Sequence, residues 1–314
     1  MKISEYVYKQ FKKSLFIEMM LKQPRVLLEN KGMLLERHGI LNNLEMYMKR
    51  FRKFLNQNKD LQGQSFILED NIFEKIPDCF FNEIRFDISW GKGVGCDGGT
   101  ASNVELDTNG KLKCVDIQFT LRGSTWDSLV ESAGGVLAHE LTHAYEMYQR
   151  LIKGGKSSYD ELLDSNYVDT IELKRNPQNP IEKAMSHICY YLFNFEVNAY
   201  VASVYSNLLQ VAPSWTTPDE GLAYLEEHDR TFKNYLVIGD YIDILQQFEE
   251  MPEVVENAWV KAGKAPLPFN KIITKICAIC DKRLHRLRRT LAKIIYDVYM
   301  HTRDIRTSDT HEEQ

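Results

Sequence analysis

The sequence predicts an α+β protein in which a small, mostly antiparallel sheet lies between two helical regions of the chain. Apolar residues recur at helical spacing before residue 58 and again after residue 218. Between residues 84 and 121 they instead alternate with polar residues at period two, as in half-buried strands. The turn signal Asp107-Thr108-Asn109-Gly110 separates two such runs and predicts a hairpin.

This order of elements divides the chain into three regions. We expect an N-terminal helical region at 1–62, where Phe11, Leu15 and Met19 lie four residues apart. A core with the sheet is expected at 63–211 and a C-terminal helical region at 212–314.

Two strands of the core are clear from their alternation. Their apolar positions are Ile84, Phe86, Ile88 and Trp90 in the first, and Val115, Ile117, Phe119 and Leu121 in the second. Between them, Gly93 to Gly98 fits the pattern G-x-G-x-x-G. Another strand follows that pattern, so no helix N-terminus is available for a phosphate, and we predict a loop from Gly91 to Gly99 at the rim of a cleft.

The composition excludes several classes of protein. The 314 residues include 39 Lys and Arg against 44 Asp and Glu, a formal net charge of -5, so nucleic acid is not expected as a partner. No apolar run reaches the roughly 18 to 20 residues of a membrane span, and no secretory signal is recognisable.

Six cysteines are best interpreted as reduced thiols, which favours a cytoplasmic or other intracellular location. A phage-encoded origin would fit equally well.

The strongest chemical signal lies in a predicted helix from about Trp126 to Arg150. It contains His139-Glu140-Leu141-Thr142-His143, which fits H-E-x-x-H. Histidines four residues apart lie on one face of a helix, one turn apart, so both imidazoles can reach one metal ion. Glu140 lies beside them, where it can accept a proton from water. The glycine pair Gly134-Gly135 suggests that this helix approaches another backbone closely, as under a sheet.

The motif and its uncharged flanks, Val136-Leu137 and Ala144-Tyr145, resemble those of zincin metallopeptidases. The resemblance implies a zincin-like fold with the sheet packed on the motif helix and one Zn²⁺ per chain. It further implies that Glu140 activates a zinc-bound water to hydrolyse a polypeptide. The strand at about 115–121 would then be the sheet edge along the cleft, where an extended peptide could add, and the alternative is an interior strand without that role.

A catalytic zinc needs a third protein ligand. Metzincins are excluded, because Glu146 and Gln149 stand where their pattern has Gly and His. Glu146 shares the histidine face, but it lies about 10 Å along the helix from His139, so we expect it on the surface or behind the ligands. Glu196, among apolar residues and followed by Ala199, resembles the third ligand of gluzincins. The alternative to metal binding is that Glu196 is a buried glutamate paired with a Lys, Arg or Tyr.

The chain departs from the gluzincin pattern at the residues expected to hydrogen-bond to the metal ligands. Several gluzincins have an Asp three or four residues after the ligand Glu, where this chain has Ala199 and Tyr200. The zinc-bound histidines could instead donate to Asn198, Glu146 or a backbone carbonyl. Tyr200 lies one turn after Glu196 and is a candidate for stabilising the transition state, and Tyr191 and His228 are further options. His187 is expected to point the opposite way.

The C-terminal region offers weaker signals. Cys277 and Cys280 have redox or metal spacing but lie on the apolar seam of a long heptad-like helix, which favours core packing. That helix could pack in a bundle or mediate assembly, and the oligomeric state stays open. Its basic side, from Lys282 to Lys293, is expected to be solvated, with docking on an acidic partner or on nucleic acid as the alternative. A catalytically silent, zinc-stabilised structural or interaction protein remains the rival to a peptidase.

Overall fold

The computed structural model describes residues 39–61, 66–68, 73, 76, 79–90, 95–122, 126–154, 171, 174–177, 180–192, 194–246, 252–261 and 264–312. The helices predicted around Phe11, Leu15 and Met19 lie outside these residues. The described chain is a mixed α+β structure with mostly helices and a small four-stranded sheet, so the coarse fold class is confirmed.

The helices are numbered here in chain order. They are α1 Gly39–Gln57, α2 Trp126–Ile152, α3 Pro180–Leu192, α4 Asn194–Val211, α5 Asp219–His228, α6 Arg230–Leu236, α7 Ile238–Gln246, α8 Pro252–Lys261 and α9 Phe269–Glu312. The strands are β1 Phe66–Leu68, β2 Phe81–Trp90, β3 Gly95–Leu106 and β4 Leu112–Arg122. Short 3₁₀ turns occupy Lys59–Leu61 and Ala212–Ser214. No described helix has the length and apolar character needed to span a membrane.

The chain divides into two compact units. The sheet unit comprises the described residues of 31–162, 198–223 and 291–314, and it contains α1, the sheet, α2 and most of α4. The helical unit comprises the described residues of 163–197 and 224–290, with α3, α6, α7, α8 and the first half of α9. The boundary falls inside α4, which is one continuous helix. The three-region division drawn from the sequence stays a prediction.

The sheet has the strand order β1-β2-β4-β3. The β1–β2 and β3–β4 pairs are antiparallel, whereas β2 and β4 are parallel neighbours. The expectation that the strand at 115–121 forms the edge of the sheet is therefore wrong, because β4 pairs on both sides. Among the described strands, β1 and β3 form the two edges.

The predicted hairpin between β3 and β4 is confirmed. Asp107 closes the turn, since its Oδ1 accepts hydrogen bonds from the backbone N–H groups of Asn109 at 2.8 Å and Lys111 at 2.9 Å. Gly110 has a φ of 77°, a left-handed conformation that glycine adopts without strain. These residues explain why the chain reverses here.

The glycine-rich segment differs from the sequence-based expectation. Residues Gly95 to Gly99 are paired with β4 in register Gly95↔Arg122 to Gly99↔Gln118, so they belong to strand β3 and not to a loop. Residues 91–94 of the predicted loop lie outside the described residues. The ladder to β4 pairs the backbone groups on one side of a segment whose side chains carry little strand preference.

The core of the sheet unit lies between the sheet and helices α1 and α2. Ile84, Phe86 and Ile88 on β2 are 0% exposed, as the alternation predicts. Phe51 of α1 packs against Phe86 and Phe119 of the sheet, with ring centroids 5.0 and 5.2 Å apart. The same buried cluster includes Leu137, Leu141 and Ala144 of α2, so this apolar face anchors the helix that carries the H-E-x-x-H motif.

The helical unit buries the cysteine pair of the long helix. Cys277 and Cys280 are 4% and 0% exposed, which confirms that both lie on an apolar seam. The aromatic-rich segment from Ile181 to Val211 has the sequence of one buried helix, but the structure has two helices there, α3 and α4. Arg283 of α9 donates a hydrogen bond of 3.1 Å to the carbonyl of Leu192, the last residue of α3. This bond satisfies a carbonyl that the helix end leaves without an intrahelical donor.

Candidate metal centre

Helix α2 presents His139, Glu140 and His143 next to one another. The neighbouring residues Ala138, Leu141 and Ala144 are 0% exposed, so the core fixes the rotation of the helix about its axis. Glu140 and His143 are themselves buried, at 5% and 6% exposure, and His139 is half-buried. The motif therefore lies at the border between the core and solvent.

The two imidazoles converge on one point. Their Nε2 atoms are 3.0 Å apart, and their rings are inclined at 88° with centroids 4.6 Å apart. Two nitrogens bound to one tetrahedral zinc at about 2.0–2.1 Å would be separated by about 3.4 Å. A shift of a few tenths of an ångström would thus let both rings bind one ion. The same pair is close enough for a direct hydrogen bond in which one ring donates.

Glu196 completes the group. It lies in the first turn of α4 and is 3% exposed. One ligand atom of each of His139, His143 and Glu196 lies within 4.8 Å of the other two, which is the arrangement expected of a site with a third ligand on a second helix. Because the N-terminal end of a helix carries partial positive charge, the start of α4 also favours a carboxylate at this position.

The donor set is suited to a transition metal ion. Two imidazole nitrogens and one carboxylate oxygen match the three protein ligands of catalytic zinc sites, and other divalent ions accept similar donors. A buried carboxylate also needs a cation or close hydrogen-bond partners to offset its lost hydration. The group could therefore hold a metal ion, and its geometry is compatible with an H-E-x-x-H site completed by Glu196.

Residues of the helical unit offer Glu196 other electrostatic partners. Burial lowers the pKa of the Lys174 ammonium to about 8, and the charge of Glu196 acts against this decrease. Burial also raises the pKa of Tyr191 to about 12, with the Glu196 carboxylate adding to the effect. The Lys174 Nζ lies 3.3 Å from the ring centroid of Tyr190 and 4.5 Å from that of Tyr191. Two of the three kinds of partner foreseen for a buried glutamate without metal, a lysine and a tyrosine, thus act on Glu196.

Helices α2 and α4 approach each other closely at two points. A Cβ on Gly135 would lie 2.5 Å from Oδ1 and 2.7 Å from Nδ2 of Asn207, so α4 packs where Gly135 has no side chain. Eleven residues further along α2, Glu146 accepts a hydrogen bond of 2.5 Å from Nδ2 of Asn198. The pairing of 135 with 207 and of 146 with 198 shows that the two helices run antiparallel.

The glycine pair Gly134-Gly135 was expected to approach the backbone of the sheet, and the structure shows a different contact. A Cβ on Gly134 would lie 2.7 Å from Nη2 of Arg52 and 2.9 Å from Cε of Met48, both on α1. The pair therefore admits side chains of two helices, α1 and α4, and not the backbone of the sheet.

The structure shows where the residues predicted to support the metal ligands lie. Glu146 and Asn198 bond to each other, and Glu146 is not one of the three residues that converge. Tyr200 is buried, at 3% exposure, one turn after Glu196 on α4. Its role in stabilising a transition state stays a prediction. The proposed role of Glu146 and Asn198 as hydrogen-bond acceptors for the histidines also stays a prediction.

Tyr191 and His228, the other candidates for stabilising the transition state, lie in the helical unit, as does His187, which was expected to point away from the ligands. His187 donates from Nε2 to the carbonyl of Asn234 at 3.0 Å, and burial lowers its pKa. The Tyr191 hydroxyl accepts a hydrogen bond of 2.6 Å from Nδ2 of Asn234. His228 is exposed, and its Nε2 lies 3.5 Å from a carboxylate oxygen of Glu227.

Sequence reasoning did not identify Gly98 as part of the site. A Cβ at this position would lie 2.4 Å from Cγ1 of Val136 and 2.8 Å from Oε1 of Glu140. Edge strand β3 therefore passes directly beside the glutamate of the motif. The signal in the sequence was the repeated glycine at 93, 95, 98 and 99, which pointed to a loop instead.

Comparisons of the chain with protein-family models, with curated proteins and with solved structures find no match.

Proposed function

We propose that this protein is a zinc-dependent metallopeptidase of the zincin type, with Glu196 as third ligand as in gluzincins. The observation that carries the proposal is the convergence of the Glu196 carboxylate with His139 and His143, 53 residues after the second histidine. A chance H-E-x-x-H in a helix would not bring a buried carboxylate from a second helix to the same point.

Each residue of the group has a role in the proposed reaction. His139, His143 and Glu196 hold one ion per chain, and Glu140 is the general base. When bound, zinc lowers the pKa of a coordinated water and polarises a substrate carbonyl. Glu140 is adjacent to His139 on α2, where it would accept a proton from the attacking water and would later donate a proton to the leaving amine. The substrate class is polypeptide, in keeping with the zincin resemblance.

A substitution at Glu140 separates catalysis from metal binding. Glu140→Gln should retain about one zinc per chain, because this residue is not one of the three converging ligands, while cleavage of an unstructured protein such as casein should fall at least about a hundredfold. Glu105→Gln is the matched control, since it removes the same charge from an exposed carboxylate bonded to Lys113. Zinc content by metal analysis and peptide products by mass spectrometry are the two measurements.

The outcome also decides between the proposal and its rival. Cleavage by the wild-type protein and by Glu105→Gln, together with loss of cleavage in Glu140→Gln at unchanged zinc content, would support the peptidase. Stoichiometric zinc in a wild-type protein that cleaves no peptide bond would instead favour a catalytically silent protein in which the metal stabilises the fold.

A further inference from the structure

Edge strand β3 crosses helix α2 at the motif glutamate. Gly98 is paired with Phe119 of β4, whose side chain is buried in the core against which α2 packs. Directly opposed residues of neighbouring strands point to the same face of a sheet, so a side chain at 98 would point toward α2. Gly99 is paired with the exposed Gln118 and would direct a side chain to the other face.

The distances at Gly98 leave no room for even a methyl group. A Cβ there would lie 2.4 Å from Cγ1 of Val136, and 2.8 Å from Oε1 and 3.0 Å from Cγ of Glu140. Carbon atoms in contact are normally separated by about 3.5–4.0 Å, so an alanine would displace Val136, Glu140 or the strand. At Gly99 an added Cβ would meet nothing within 4 Å.

We propose that Gly98 is a positioning residue for Glu140. The missing side chain lets β3 pass beside the Glu140 carboxylate without pushing it away from the imidazole pair, and keeps the space at Oε1 clear of a methyl group. A general base must lie within hydrogen-bond reach of the proton that it takes, and a displacement of about 1 Å can cost a hundredfold in rate. This inference rests on the proposed function, in which Glu140 is that base.

The two neighbours of Gly98 allow the packing effect to be separated from the effect on Glu140. Val136→Ala removes the Cγ1 atom that an alanine at 98 would strike first. In this background, Gly98→Ala should fold with nearly the same melting temperature as Val136→Ala alone. The contact with Glu140 remains, so catalysis should stay impaired while stability is restored.

The experiment compares four variants with the wild-type protein: Gly98→Ala, Val136→Ala, the double variant of both, and Gly99→Ala as matched control. For each we would measure the melting temperature, the zinc content, and kcat and KM on one peptide substrate. We expect the double variant to keep the zinc content and melting temperature of Val136→Ala, with kcat reduced about tenfold to a hundredfold and KM little changed. Gly99→Ala should match the wild type. A double variant as active as Val136→Ala would overturn the proposal.

A binding measurement keeps the inference testable if the wild-type protein has no peptidase activity. Acetohydroxamate chelates zinc and carries an acidic proton that a neighbouring carboxylate can accept, so calorimetric binding to the zinc-loaded protein reports the position of Glu140. Binding weakened about tenfold in the double variant relative to Val136→Ala would support the role of Gly98 even if the proposed reaction fails. Equal affinity in the two variants would overturn it.

Discussion

Asn198 donates a hydrogen bond of 2.5 Å to the carboxylate of Glu146, and this bond joins the two helices that carry the candidate metal ligands. Glu146 lies three residues after His143 on α2, and Asn198 lies two residues after Glu196 on α4. Hydrogen bonds to a charged group contribute about 1.5–3 kcal/mol to stability, roughly twice a neutral one. The bond thus joins α2 and α4 at positions close in sequence to the candidate ligands of both helices.

Removing this bond should weaken metal binding. Asn198→Ala deletes the amide donor and lets the two helices shift, so we expect zinc affinity to fall about tenfold to a hundredfold, as for other residues behind metal ligands. The midpoint of a competition with a chromogenic chelator would measure it. Asn82→Ala is the control, because Asn82 donates a similar bond of 2.8 Å to Asp107 at the exposed hairpin. Unchanged affinity in Asn198→Ala would show that the ligands are held by other contacts.

Metal removal should destabilise the protein only while the ligand group is intact. Free zinc at about one hundred times its dissociation constant adds about 2.7 kcal/mol to the free energy of unfolding. A chelator should therefore lower the melting temperature of the wild-type protein, and should have no effect on His143→Ala or Glu196→Ala. His228→Ala, at an exposed histidine, should respond as the wild type does. A melting temperature insensitive to zinc in the wild type would favour pairing of Glu196 with Lys174 and Tyr191 over ligation.

A side chain added at Gly135 should lower the stability of the protein, because α4 packs closely at this position through Asn207. An added Cβ would lie 2.5 Å from Oδ1 and 2.9 Å from Cγ of Asn207, so Gly135→Ala should lower the free energy of unfolding by about 1–3 kcal/mol. Adding Asn207→Ala to Gly135→Ala should restore part of the lost free energy of unfolding. A double-mutant cycle by urea unfolding would measure this coupling.

A glycine whose added Cβ would touch no other atom provides the control for this cycle. Gly239 in α7 would place a Cβ with nothing within 4 Å, so Gly239→Ala should be neutral or stabilise by up to about 1 kcal/mol through helix propensity. A destabilisation in Gly239→Ala as large as in Gly135→Ala would mean that the helix contact is not the cause.

The local elements of the fold could be predicted because their signals are periodic. The alternation in β2 and β4 matches the buried faces of Ile84, Phe86, Val115 and Ile117, and the motif helix was expected within two residues of its observed end. The carboxylate of Glu196 could be anticipated because a charge among apolar residues requires a partner.

The arrangement of the strands could not be predicted in the same way. Period-two alternation defines the face of a strand and not its neighbour, so the parallel pairing of β2 with β4 left no signal. Residues 95–99 lack the bulky side chains that mark strands, and only the ladder to β4 makes them one. The position of β3 at the edge, and with it the contact of Gly98 with Glu140, therefore emerged from tertiary structure.

The cysteines of the helical unit should resist alkylation in the folded protein. Cys189 and Cys280 are 2% and 0% exposed, and burial raises the pKa of Cys280 to about 12 and that of Cys189 well above its usual value. Because the thiolate is the reactive form, a thiol with a pKa of about 12 is ionised to only about one part in ten thousand at pH 8.

Iodoacetamide at pH 8 should consequently leave Cys189 and Cys280 unmodified in the native protein and modify both in urea, as peptide mass spectrometry would show. Raising the pH toward 10 in native conditions should increase labelling only as far as the fold opens, since burial blocks the reagent as well as ionisation. Rapid native labelling of Cys280 that stops when zinc is added would instead indicate that Cys277 and Cys280 bind metal, and would contradict their assignment to the apolar seam of α9.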